Sequence, residues 1–146
     1  MAKKIFIDAN VILDLFEPGR AFHEVSVEVM RILSMDEETE LFISSDMVSN
    51  IFYILQNHYK YGFEKTLITI ENITRMMRIH SVTHEHIERS IEICKKGLFR
   101  DYEDALQYVS ALKEECILII TNNKKDFQNA SVEVLSTPAF LRLTER

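Results

Sequence analysis

Acidic and carboxamide side chains recur in this 146-residue chain directly after short apolar runs. Asp8 follows Lys3 to Ile7 (KKIFI), Asp46 and Asn50 follow Leu41 to Ile43, and Asn122, Asn123 and Asp126 follow Ile117 to Ile120 (ILII), while Asp101 and Asp104 open a late helical pattern. Taken singly, most have a structural explanation. Asp101 with Asp104 three residues on resembles a capping box, Asn10 suits the cap of a first helix, and Asp126 before Phe127 suits a turn. Asp8 is harder to explain this way, because a carboxylate set behind a buried strand loses hydration that only donors or a cation replace. Asp8, Asp101, Asp104 and Asp126 come from separate segments that a parallel sheet brings to one edge. Oxygen donors without Cys or His select Mg²⁺ or Mn²⁺, for which phosphodiester hydrolysis is the natural chemistry.

The elements that must position these groups alternate. Lys3 to Ile7 reads as a buried strand, Asn10 to Phe16 as a helix, and Val25 to Leu33 as a second helix with one apolar face. A strand at Leu41 to Ile43 precedes a long helix from Ser45 or Asp46 through Tyr59, which Gly62 ends, and Phe63 to Met77 is helical again. Short strands at Ile79 to Val82, Ile117 to Ile120 and Val132 to Leu135 flank helices running to about Lys96 and from Tyr102 to Glu115, with Gly97 as a stop and Pro138 opening a terminal helix. Five strands alternating with helices imply an α/β, Rossmann-like three-layer sandwich with a mostly parallel sheet. In such a sheet the working crevice lies outside the carboxyl ends of the strands, where the acids fall.

Other chemistry is poorly supported. Cys94 and Cys116 have no partner at zinc or redox-motif spacing, and both read as reduced core thiols. His84-Glu85-His86 places two histidines where they do not share a helix face. Phe52, Tyr53 and Tyr59 fall among helical apolar positions and read as core. There is no Gly-rich phosphate loop and no G-x-S-x-G elbow. The net charge of −6 argues against holding nucleic acid by bulk electrostatics, although a dication among the acids would reverse the local field. With no apolar run of membrane-spanning length, a single domain over residues 1–146 in the cytoplasm is expected.

Three segments in this order, Phe6-Ile7-Asp8-Ala9-Asn10-Val11-Ile12-Leu13-Asp14-Leu15, Asp101-Tyr102-Glu103-Asp104-Ala105 and Thr121-Asn122-Asn123-Lys124-Lys125-Asp126-Phe127, resemble the PIN-domain family. Leu135 to Leu141 is similar to the tail of one bacterial branch. The resemblance implies a four-acid Mg²⁺ or Mn²⁺ site and, as in VapC-type toxins, ribonuclease activity opposed by an antitoxin protein. It matches Asp8 to the first acid and Asp104, with Asp101 beside it, to the acid opening the late helix. The other two acids fall on Asn50 and Asn123, with Asp46 and Asp126 near enough in sequence to substitute. Thr121 would orient water or phosphate.

The leading expectation is therefore a metal-dependent endoribonuclease in which Asp8, Asp104 and either Asp101 or Asp126 hold the ion, and Lys124, Lys125 and Arg100 steer RNA. A homodimer or an antitoxin complex would use aromatic residues of the 46 to 77 helices, Phe52, Tyr59, Tyr61 and Phe63. The competing expectation is a degenerate PIN-like module that binds RNA or a protein partner without efficient catalysis. An aspartyl-phosphate phosphatase fits less well, since Asn10 stands where a proton-donating Asp would be needed.

Overall fold

A computed structural model describes residues 2–145. In chain order it contains β1 (Lys3–Ile7), α1 (Ala9–Phe16), α2 (His23–Ser34), β2 (Thr39–Ser44), α3 (Ser45–Tyr53), α4 (Phe63–Met76), β3 (Arg78–His80), α5 (His84–Lys95), α6 (Tyr102–Lys113), β4 (Leu118–Ile120), β5 (Glu133–Leu135) and α7 (Thr137–Thr144). The strands lie in the order β3-β2-β1-β4-β5 and every ladder is parallel. This is the expected α/β sandwich, with the sheet wholly parallel among the described residues. No helix is long and apolar enough to cross a membrane among the described residues.

Successive residues of a strand face opposite sides of a sheet, and here that alternation divides the core in two. Ile5, Ile7, Leu41, Ile43, Leu118 and Ile120 pack beneath α1 to α4, against Val11, Ile12, Val29, Leu33, Ile51 and Ile73. The intervening Phe6, Phe42 and Ile119 pack on the other face against Ile93 of α5 and Ala105 and Val109 of α6, with Phe99 and Phe127 closing that layer. Burial on both faces explains why these strands read as continuous apolar runs.

Three local expectations need correction. Asn10 does not cap α1; it is the second residue of the helix, and Asp8 is the cap, accepting from the Asn10 N–H. The long helix toward Tyr59 gives way after Tyr53 to a π-helical turn, Ile54–His58, and the chain then reverses through Lys60, at φ 58, while Gly62, at φ 81, introduces α4 rather than ending the preceding helix. Tyr53 is exposed, because it lies across α3 from the buried Met47 and Ile51.

Candidate active site

Chain order along the sheet reverses between β1 and β4, so the two strand ends diverge there and leave a crevice. Asp8 leaves β1 and Thr121 leaves β4 at this point. The Asp8 N–H donates to the Ile120 carbonyl (3.0 Å), continuing the ladder one residue past the strand. The Asp8 side chain is 1% exposed. Its Oδ1 accepts from the Asn10 N–H (3.3 Å) and from Gln107 Nε2 (3.1 Å), and its Oδ2 accepts from Thr121 Oγ1 (2.5 Å). Thr121 Oγ1 in turn accepts from the Asn123 N–H (3.0 Å). Burial raises the Asp8 pKa, the three donors oppose that rise, and the nearby Asp14 charge adds to it.

Gln107 was not legible as a site residue. It is buried on α6, donates to Asp8 through Nε2 and accepts from the Ala9 N–H through Oε1 (3.1 Å), which fixes its amide orientation. The one signal was a polar residue three positions after Asp104, in a helix whose other buried residues are Ala105, Leu106, Val109, Ser110 and Ala111.

Around Asp8 the charge is one-sided. Asp104, half-buried on the first turn of α6, has its pKa pushed up to about 7 by burial and by the charges of Asp8, Asp101, Asp126 and Glu103. Glu103 is raised by burial and by Asp101, Asp46 and Asp8, partly offset by the Asn50 amide. None of these acids has an ion-pair partner among the described residues. Asp46 Oδ1 is buried without a hydrogen-bond partner among the described residues. Glu103 thus joins the acids that sequence singled out, Asp46 among them.

Asp101 caps α6, accepting from the Asp104 N–H (2.9 Å), so its structural and electrostatic roles coincide. Asn50 Nδ2 donates to Glu103 Oε2 (3.3 Å), so a carboxylate from α6 stands beside the amide. Asn123 precedes the 3₁₀ turn Lys124–Phe127, which carries Lys124, Lys125 and Asp126 to the surface beside the crevice. Asn122 turns away from the acids, donating to Asp14 Oδ2 (3.0 Å) and accepting from the Thr137 N–H and hydroxyl. Asp14 also accepts from Arg20 Nε (2.6 Å), a partly buried ion pair. His86 completes a capping box with Thr83 and stacks on His80, while His84 is exposed, so that trio gathers no ligand set.

The acids do not form a closed cage: no three His, Cys, Asp or Glu side chains converge to hold a metal ion among the described residues. The open arrangement still suits a hard dication, because Mg²⁺ is commonly bound through one or two carboxylates, with water and substrate oxygens completing its shell. Among the described residues the influences on Asp104 all raise its pKa, and the unpaired Asp46 oxygen adds acceptor capacity beside Glu103.

Comparison with known proteins agrees with this architecture. Over 140 residues, 95% of this chain and 94% of its relative, the sequence is 36% identical to Ribonuclease VapC1 of Aquifex aeolicus (strain VF5). The fold is similar to that of VapBC2 from Rickettsia felis bound to a promoter DNA fragment (TM-score 0.69, 17% identity, 91% of this chain and 98% of that one). It is also similar to DNA-bound VapBC from Salmonella typhimurium (TM-score 0.69, 15% identity, 94% and 99%) and to VapC20 of Mycobacterium tuberculosis, a Sarcin-Ricin loop cleaving toxin (TM-score 0.63, 15% identity, 79% and 86%). With the PIN domain model matching residues 4–125 as well, the chain belongs to the PIN-domain family.

Proposed function

We propose that this chain is a divalent-metal-dependent endoribonuclease that hydrolyses RNA phosphodiesters as the toxin of a toxin–antitoxin pair. The observation that carries this reading is the buried Asp8, held by Thr121 and Gln107 at the sheet switch point and crowded by unpaired acids. Such uncompensated charge favours a cation. Asp8 and Asp104 would hold Mg²⁺ or Mn²⁺, with Asp101 or Asp126 acting through water. When bound, the ion supplies Lewis acidity toward a phosphate oxygen and lowers the pKa of water. Thr121 and Gln107 fix the Asp8 rotamer, and the rise of the metal-free Asp104 pKa to about 7 reflects a crowding of negative charge that a bound cation would relieve. The relatedness to Ribonuclease VapC1 and the fold shared with VapBC proteins support an RNA substrate and an antitoxin partner.

The test is incubation of the purified protein with structured RNA, with and without Mn²⁺, beside Asp8→Asn. Cleavage that needs both Mn²⁺ and Asp8 is expected. A second reading, a PIN-like module that binds without turnover, draws support from the carboxamides at Asn50 and Asn123 and the unclosed acid cage. Calorimetry with Mn²⁺ separates the two, since the second reading predicts neither measurable ion binding nor cleavage.

A further inference from the structure

Resting on the nuclease reading, we infer that the cleft between the α5–α6 connection and the 3₁₀ turn is a subsite for one unpaired nucleotide next to the scissile phosphate. The cleft encloses about 390 Å³ and takes Leu98, Arg100 and Asp101 from one wall and Lys125, Asp126 and Gln128 from the other. Asp101 and Asp126 belong to it and also charge Asp104, so the cleft opens directly onto the acid cluster. Asn129 Nδ2 donates to the Leu98 carbonyl (2.9 Å) and ties the two walls together.

Arg100 and Lys125 share the cleft with Asp101 and Asp126, yet neither forms an ion pair among the described residues. Two unengaged cations at the mouth of an acidic site match a phosphodiester that must be held beside carboxylates. Lys124 lines only the neighbouring hollow toward Val132 and Val134, whereas Lys125 borders both that hollow and the cleft, so of two adjacent lysines that sequence could not distinguish only Lys125 faces the acids. The exposed Leu98 offers an apolar platform for a base, and the Gln128 amide carries both a donor and an acceptor for a base edge. A cleft of this size admits a single splayed nucleotide but not a duplex.

The test is binding of a 5′-labelled single-stranded RNA, the same sequence closed into a hairpin stem, and the matching single-stranded DNA, read by fluorescence anisotropy across a salt series. Tighter binding of both single strands than of the stem is expected, and binding of RNA over DNA assigns the ribose form. Arg100→Ala combined with Lys125→Ala should weaken single-stranded RNA binding at least tenfold and flatten the log–log salt slope by about 1.4, the value for two lost phosphate contacts on a single strand. Lys124→Ala should change binding less than twofold. Gln128→Ala should alter base preference at one position while leaving the salt slope intact. Unchanged binding and slope in the double variant, or preference for the stem, overturns the subsite even if cleavage persists. Cleft-dependent binding without any Mn²⁺-dependent cleavage supports the subsite and overturns the nuclease reading instead.

Discussion

Asp8 is held in place by hydrogen bonds, and loss of one donor should be felt in two ways. Gln107→Leu removes the Nε2 donor to Asp8 and strands the Ala9 N–H, so stability should fall by about 1–3 kcal/mol in urea unfolding, with weaker Mn²⁺ binding in calorimetry. The pKa of Asp104 sets a second expectation, for metal-free protein. Its folded value of about 7 exceeds the usual carboxyl value of 3.8, so the folded state carries the extra proton between the two. Folding is therefore favoured at the acid end and this contribution is lost as pH rises through about 7. In EDTA, wild type should lose melting temperature relative to Asp104→Asn between pH 5 and pH 8; parallel curves would show that Asp104 is not the crowded group. Asn50→Glu with Asn123→Asp should raise Mn²⁺ affinity tenfold or more. The same double variant should melt lower without metal, because a Glu at position 50 meets Glu103.

At the scale of elements, α5 and α6 end differently. Gly97 stops α5 at φ 76, whereas Glu115 takes the equivalent left-handed position after α6 at φ 60. Only glycine enters that region without a Cβ penalty, so Glu115→Gly should stabilise the fold by about 0.5–1 kcal/mol, seen as a melting-temperature rise of a few degrees. This end of α6 lies far along the helix from Asp104, so Mn²⁺-dependent cleavage should not change. The α6 helix is the element to watch: its first turn presents Asp101 and Asp104, its second presents Gln107, and its packing on Phe6 and Ile119 sets the distance of all three from β1.

For the whole molecule, the remaining question is what covers α4. Phe63 and Ile68 are each 59% exposed and Leu67 is 46% exposed, with Phe52 set edge-on to Phe63. Tyr59 and Tyr61, first grouped with them, are instead engaged internally: Tyr59 accepts from Arg20 and Tyr61 donates to the Phe16 carbonyl. If this face serves the homodimer expected from sequence rather than an antitoxin, Ile68→Glu should shift the protein to monomer in sedimentation equilibrium without changing its melting profile at low concentration. An unchanged oligomeric state would place the partner surface elsewhere.

The order of strands and helices, and the candidacy of Asp8, Asp101, Asp104 and Asp126, were readable from sequence because apolar runs buried on both faces are continuous and helix starts carry their caps beside them. The family resemblance was readable for the same reason, since its motifs are local. Tertiary structure decided what depends on contacts across the chain. It set Gln107, 99 positions from Asp8, against that carboxylate, and it brought Glu103 to Asn50, 53 positions away. It also turned Asn122 toward Asp14 rather than into the crevice, and set Lys125, but not Lys124, in the cleft beside Asp101 and Asp126. Periodicity reports which face of an element is buried, but the direction of a polar side chain follows from the partner opposite it, and that partner is fixed only when the sheet closes.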